Sequence, residues 1–96
     1  MYKYRKKPIV IEAWQFNIPS TKTMPWWLSS AIRDGIVYHH QGGDPCMTIK
    51  TLEGDLRADV NDFIIRGIKG KLYPCKPDIF NMTYDYLKES AFDYNI

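Results

Sequence analysis

The chain has 96 residues, of which 45% are hydrophobic and 25% charged, and its formal net charge is +2. This length fits one domain, residues 1–96, with a modest hydrophobic core, and the composition excludes a disordered chain. No stretch approaches the roughly 20 apolar residues of a membrane span, so we expect an intracellular protein that does not enter a membrane. Cys46 and Cys75 fit that setting as reduced thiols.

The predicted elements begin with a basic lead-in, residues 1–7, which carries Lys3, Arg5, Lys6 and Lys7 and no acid. A strand is predicted at residues 9–16. Both of its faces hold apolar side chains, so we expect each face to be partly covered. A loop follows.

The clearest helix is predicted at about residues 24–34. Thr23 is expected to cap its first turn, Pro25 is tolerated there, and Gly35 can take the left-handed conformation that ends a helix. One apolar stripe runs along the helix, formed by Met24, Trp27, Leu28, Ala31 and Ile32. Trp26 lies off this stripe, so its ring is predicted either to lie on the domain surface or to contact a partner or a planar ligand.

The second half of the chain is typical of short strands joined by turns. The predicted strands are residues 36–40, 46–52, 55–60, 63–68 and 71–75. Glu53-Gly54 and Lys69-Gly70 are expected to turn the chain between neighbouring strands, and Asn61 suits a turn with positive φ. This pattern favours an α+β fold with one antiparallel sheet of about five to six strands.

The C-terminal part is marked by prolines. Pro74 and Pro77 have no N–H to donate, so the strand that they end cannot lie at the centre of a sheet. Asp78 is expected to cap a short helix at residues 79–83. Residues 84–87 either continue that helix or form a last strand, and residues 88–96 are predicted to be a tail.

Catalytic and metal-binding patterns are missing from the sequence. His39 and His40 are neighbours in a strand and point to opposite faces, whereas zinc needs three or four ligands. Lys76 would lower the pKa of Cys75 slightly, but no base accompanies that thiol. We therefore predict a protein that is not an enzyme and has no catalytic residues, no metal site and no cofactor.

A basic hairpin is the best candidate for a binding site. Arg66, Lys69 and Lys71 are expected to pair with phosphate groups, and Tyr73 or Trp14 to stack on a base. Arg5 of the lead-in would add to this basic surface. A domain of this size has little interior space, so we expect such a pocket to form between the subunits of a homo-oligomer. The same residues also fit single-stranded nucleic acid, although the chain is only weakly basic.

Two stretches of the chain form a recognisable pattern. The first is Tyr4-Arg-Lys-Lys-Pro-Ile-Val-Ile-Glu-Ala-Trp-Gln-Phe16, and the second is Asp62-Phe-Ile-Ile-Arg-Gly-Ile-Lys-Gly-Lys-Leu-Tyr-Pro-Cys-Lys-Pro-Asp-Ile-Phe80. With the hairpin Thr51-Leu-Glu-Gly54, they resemble a family of small, largely uncharacterised proteins of bacteriophages and prophages. The chain departs from that family at Asn61, where glycine is usual; a left-handed Asn would preserve the turn.

The resemblance implies a phage protein that works in the host cytoplasm. Small phage accessory proteins without catalytic residues often counter host immunity, and some sequester nucleotide second messengers. We therefore expect a non-enzymatic accessory protein that counters host defence by binding a small phosphorylated nucleotide signal. One alternative is an inhibitor or adaptor that presents Trp26 and the basic hairpin to a host or phage protein. A second is single-stranded nucleic-acid binding.

Overall fold

The computed structural model describes residues 1–17 and 23–87. Its elements, in chain order, are β1 (Glu12–Gln15), α1 (Trp26–Arg33), β2 (Val37–His40), β3 (Cys46–Thr51), β4 (Gly54–Asp59), β5 (Phe63–Arg66), β6 (Leu72–Cys75) and α2 (Pro77–Thr83). A short 3₁₀ turn at Ile68–Gly70 joins β5 to β6. The predicted α+β fold is confirmed.

The six strands form two antiparallel sheets of three strands, where the sequence indicated one sheet. The first sheet has the order β1-β5-β6 and the second the order β2-β3-β4. The chain passes from the second sheet back to the first at Asn61, whose φ of 80° gives the left-handed turn predicted for it. This turn directs β5 away from its sequence neighbour β4 and onto β1.

The hydrophobic core lies between α1 and one face of each sheet. The buried stripe of α1 consists of Trp27, Leu28 and Ala31, which lie three or four residues apart on one side of the helix. The second sheet contributes Val37, Met47, Ile49 and Ala58, and the first contributes Trp14 and Ile64. Burying each of the larger side chains stabilises the fold by about 1.5–3 kcal/mol.

Helix α1 begins later than predicted. Pro25, with ψ of 155°, is the N-cap residue, and no side chain caps the helix, so the predicted cap by Thr23 is wrong. The Pro25 carbonyl accepts the first helical bond, from the Ser29 N–H at 3.1 Å. Gly35 ends the helix as predicted, with φ of 77°.

Strand β1 is shorter than predicted because its partner strand is short. Glu12 pairs with Arg66, the last residue of β5, after which the chain turns away. Residues 9–11 therefore have no strand opposite them in the described part of the chain, and Val10 is exposed. The predicted strand over residues 9–16 is reduced to its second half.

The positions of β6 and α2 agree in part with those predicted from Pro74 and Pro77. Strand β6, which contains Pro74, lies at an edge of the first sheet. Helix α2 begins at Pro77, two residues before the predicted start. The predicted cap by Asp78 is wrong: Lys76 is the N-cap residue, no side chain caps the helix, and Asp78 lies in its first turn. Residues 84–87 form neither helix nor strand, and the predicted tail, residues 88–96, lies outside the described residues.

Asp62 ties the two sheets together and is buried, with 3% of its surface exposed. Its carboxylate accepts a hydrogen bond from the Asp59 N–H at 2.8 Å and another from the Lys76 ammonium at 2.9 Å. One carboxylate thus holds the end of β4 against the residue that precedes α2.

Replacing Asp62 with alanine is expected to lower the free energy of unfolding by about 1–3 kcal/mol, since a partly buried N–H loses its acceptor. Denaturant unfolding measures this loss. Asp62→Asn keeps an acceptor oxygen and should cost less, and Asp55→Ala, at an exposed site, should cost almost nothing. Equal stability of Asp62→Ala and Asp55→Ala would contradict the structural role of Asp62.

The described helices are short. Neither is long and apolar enough to cross a membrane.

Candidate functional site

A cleft of about 770 Å³ opens at one end of the hydrophobic core. Three parts of the fold border it: helix α1, the hairpin between β3 and β4, and the turn that joins β5 to β6. Its floor is apolar and continues the core, with Trp27 and Ala31 from the helix and Leu72 from the first sheet. The exposed Leu56 adds an apolar side chain from the second sheet. The cleft is therefore lined by α1 and by residues of both sheets.

Trp26 stands at the mouth of the cleft with 70% of its surface exposed. It lies on α1 next to the buried Trp27, so its ring cannot reach the core. The Arg66 guanidinium carbon lies 5.4 Å from the centre of the Trp26 ring, and Arg66 Nη1 donates to Glu12 Oε1 at 3.0 Å. The residue predicted as a partner surface and one predicted as a phosphate ligand thus belong to one site.

Lys71 is the second predicted ligand residue that lines the cleft. Its side chain is exposed and forms no ion pair with the described residues. Unlike Arg66, which is paired with Glu12, Lys71 can bind an anion without giving up a carboxylate partner.

The rest of the rim mixes both signs of charge. Lys50 adds a third cation, and its ammonium lies 5.1 Å from the centre of the Tyr38 ring. Asp34 and Glu53 add two carboxylates. This rim suits a ligand with separate anionic and hydrogen-bonding parts better than a uniformly charged polyanion.

Tyr73 borders the cleft, but its ring has other partners. It pairs with Ile65, so its side chain points to the face of the sheet opposite Leu72. The ring packs on Gly67, where an added Cβ would lie 2.8 Å from Tyr73 Cε1. Burial, together with a hydrogen bond with Tyr84, raises the pKa of Tyr73 to about 12. The predicted stacking of Tyr73 on a base is therefore not favoured by its position.

The alkaline titration of Tyr73 tests this placement. Folding favours its neutral form, so its contribution to stability is present below pH 10.0, the ordinary pKa, and is lost as the pH rises towards about 12. Tyrosinate absorbance should show one group with a pKa of about 12 that disappears in Tyr73→Phe. Tyr84→Phe should move that pKa towards its ordinary value. Titration of every tyrosine at the ordinary pKa would contradict the packing described.

Trp14 is a core residue, which contradicts its predicted stacking role. Only 7% of its surface is exposed, and it pairs with Ile64 in the middle of the first sheet. Its indole Nε1 has no hydrogen-bond partner among the described residues. Alternation along β1 turns Trp14 inward because Glu12 and Trp14 share the face that packs on the core.

Arg5 and Lys69 lie outside the cleft lining. Arg5 is in the exposed segment before β1, and the neighbouring Lys6 ammonium lies 5.4 Å from the centre of the Tyr84 ring. Lys69 lies on the 3₁₀ turn with φ of 64°. Of the six predicted ligand residues, the structure places Arg66, Lys71 and Tyr73 along the cleft.

Several lining residues were missed from the sequence. They come from the hairpin between β3 and β4 and from the exposed side of α1, and include Ser30, Asp34, Lys50, Leu52, Glu53 and Leu56. The one signal available was Leu52, an apolar residue at a hairpin turn; in the structure 95% of its surface is exposed.

No histidine or cysteine of the described residues lines the cleft. No three His, Cys, Asp or Glu side chains of residues 1–17 and 23–87 come together as metal ligands. His40 Nε2 is hydrogen-bonded to Thr48 Oγ1, with 3.0 Å between the two atoms. Burial, with Asp62 and Asp78 nearby, raises the pKa of the Cys75 thiol. The prediction that Lys76 lowers the pKa of Cys75 is therefore wrong: the Lys76 ammonium donates hydrogen bonds to the carboxylates of Asp59 and Asp62 instead.

Comparisons of the chain with protein-family models, with curated proteins and with solved structures gave no match. The site is therefore interpreted from its own residues.

Proposed function

We propose that the protein binds a small phosphorylated nucleotide in the cleft and holds it without converting it. The observation that carries this proposal is the placement of an exposed indole, Trp26, beside the cations Arg66 and Lys71 over an apolar floor. A planar base and a phosphate need these two kinds of partner within one pocket.

The base is assigned to the Trp26 side of the cleft. Exposed tryptophan rings stack on nucleobases of any sequence, because every base has a π face. Leu72 lies on the floor and Leu56 also lines the cleft, so the two side chains can cover an edge of the base. Asp34 and Glu53 are acceptors on the rim, and exocyclic amino groups of adenine, guanine and cytosine are donors.

The phosphates are assigned to the turn between β5 and β6. Lys71 supplies an ammonium with no ion pair among the described residues. The hydrogen bond from Arg66 to Glu12 uses only Nη1, so the other guanidinium nitrogens of Arg66 can donate to a phosphate. Guanidinium and ammonium groups are the usual protein partners of phosphate.

The biological role follows from the resemblance to phage proteins. A domain that binds a nucleotide signal without cleaving it lowers the free concentration of that signal. We infer a phage accessory protein of the host cytoplasm that counters host defence in this way. Its action would be stoichiometric, so it depends on affinity and protein concentration rather than on turnover.

Capture of nucleotides tests the proposal. The protein is incubated with cyclic dinucleotides and with ADP-ribose-type signals, separated from free ligand and then denatured. We expect one class of nucleotide to be recovered unchanged, in a fixed ratio to the protein. No recovery from any member of the panel, or recovery of a cleaved product, would contradict sequestration.

Two lysine variants provide a matched comparison. Lys71→Ala removes a cleft cation and should reduce capture by about tenfold, the loss of one charged contact. Lys69→Asn removes the same charge two residues away, outside the lining, and asparagine tolerates the positive φ there. Capture should survive this change. Equal effects of the two variants would mean that only general charge matters.

A second candidate function is binding of a protein partner at the same cleft. It is favoured by Leu52, which is exposed at the hairpin tip and lines the cleft together with Trp26. An inhibitor or adaptor would insert such groups into a partner. Failure of nucleotide capture combined with Leu52-dependent binding of a host or phage protein would support this function instead.

A further inference from the structure

Helix α2 and the residues that follow it present apolar side chains that the described residues leave uncovered. We name them the α2 surface, which consists of Ile79, Met82, Tyr86 and Leu87, all of them exposed. Met82 exposes 85% of its area. Helix α2 instead contacts the first sheet through Phe80, whose ring stacks on Phe63 with centroids 3.8 Å apart. The residues of the α2 surface take no part in this contact.

Within residues 77–87 the charged side chains have one sign, and Lys76, which precedes them, is paired with Asp59 and Asp62. Residues 77–87 contain Asp78 and Asp85 and no lysine or arginine. Both carboxylates are exposed, and neither forms an ion pair with the described residues. A partner for this surface should therefore be apolar in part and positively charged.

The N-terminal arm, residues 1–7, has this chemistry. All seven residues are exposed; the arm carries four cations and no acid, together with Tyr2 and Tyr4. Tyr4 exposes 93% of its area. The Lys6 ammonium lies 5.4 Å from the centre of the Tyr84 ring, so the arm already runs beside residues that follow α2 in its own chain.

We propose that the arm of one molecule docks on the α2 surface of a second copy, and reciprocally, to form a homodimer. Both halves of the interface are present on one chain and have opposite charge, which is the requirement for a symmetric exchange. Tyr2 and Tyr4 would cover Met82 and its neighbours, while the cations of the arm face Asp78 and Asp85.

This interface is separate from the nucleotide cleft. Phe63 and Arg66 lie on opposite faces of the first sheet, since they are three residues apart in β5. Helix α2 packs on the Phe63 face, and the cleft opens on the Arg66 face. Dimer formation and nucleotide capture can therefore be tested independently, and failure of one does not imply failure of the other.

Sedimentation or light scattering of the purified protein over a range of concentrations tests the dimer. We expect the wild type to dimerise. A variant that lacks residues 2–7 and the variant Met82→Asp should each raise the dimer dissociation constant by at least about tenfold. Ile68→Asp places the same charge on an exposed apolar residue outside both surfaces and should leave the dimer intact.

A mixing experiment distinguishes the exchange from any other dimer. The variant without residues 2–7 keeps its α2 surface, and Met82→Asp keeps its arm, so a mixture can form one of the two contacts. We expect heterodimers in the mixture at concentrations where each variant alone is monomeric. A monomeric wild type, a dimer that survives both changes, or a mixture that stays monomeric would overturn the proposal. So would a monomer whose arm binds single-stranded DNA with a steep salt dependence.

Discussion

Replacing Trp26 with alanine is expected to weaken nucleotide binding by about 5- to 150-fold, because stacking of one base on an aromatic ring contributes about 1–3 kcal/mol. The ring is mostly exposed and contacts Arg66 rather than the core, so the fold should be unchanged. Titration calorimetry with the captured nucleotide measures the loss, and circular dichroism checks the fold.

Trp26→Phe is the matched control for this change. It keeps an aromatic face of smaller area, so its affinity should lie between those of the wild type and Trp26→Ala. Lys69→Asn should bind like the wild type. If Trp26→Ala binds as tightly as the wild type, the base does not stack on this ring and the assignment of the cleft fails.

Replacing Ile64 with alanine is expected to lower the free energy of unfolding by about 2–5 kcal/mol, the usual cost of a large-to-small change in a core. Ile64 is fully buried in the central strand of the first sheet, between Trp14 and Pro74. A domain of this length has few such side chains, so the loss is a large part of its stability.

Denaturant unfolding measures the effect, with Ile68→Ala as the control. Ile68 is four residues away and exposed on the 3₁₀ turn, so its truncation should change stability by less than about 0.5 kcal/mol. A loss below about 1 kcal/mol for Ile64→Ala would contradict the placement of this residue at the centre of the core.

The sequence was sufficient to predict turns, helix ends and edge strands that depend on the backbone preferences of single residues. Asn61 and Gly35 take the positive φ that their positions called for, and the strand with Pro74 lies at a sheet edge. These outcomes depend on one or two residues and their neighbours. A steric or hydrogen-bonding rule fixes each of them, so a single sequence is sufficient.

The division into two sheets could not be predicted in the same way. It depends on which strands pair across long distances, as when β1 pairs with β5 and not with a neighbour in sequence. The cleft follows from that pairing, since Leu56 and Leu72 belong to different sheets. Apart from the apolar Leu52 at the turn, its lining from the β3–β4 hairpin could therefore not be predicted from the sequence.

The predicted base-stacking roles of the aromatic side chains also depended on long-range packing. Tyr73 or Trp14 was expected to stack on a base, yet Trp14 is buried and Tyr73 is packed against Gly67. Both faces of β1 carry apolar side chains, so alternation alone did not say which face meets the core. Trp26 was placed correctly off the helix stripe because α1 has a single apolar face.

Nuclear magnetic resonance of the three indole N–H groups tests the central claim, that a nucleotide binds in the cleft against Trp26. The chain has three tryptophans, so three indole signals are expected, and Trp26→Phe identifies the one of interest. On addition of the captured nucleotide, we expect the Trp26 signal to shift in proportion to occupancy while the signal of the buried Trp14 stays in place. Saturating nucleotide binding that leaves the Trp26 signal unmoved would contradict the account.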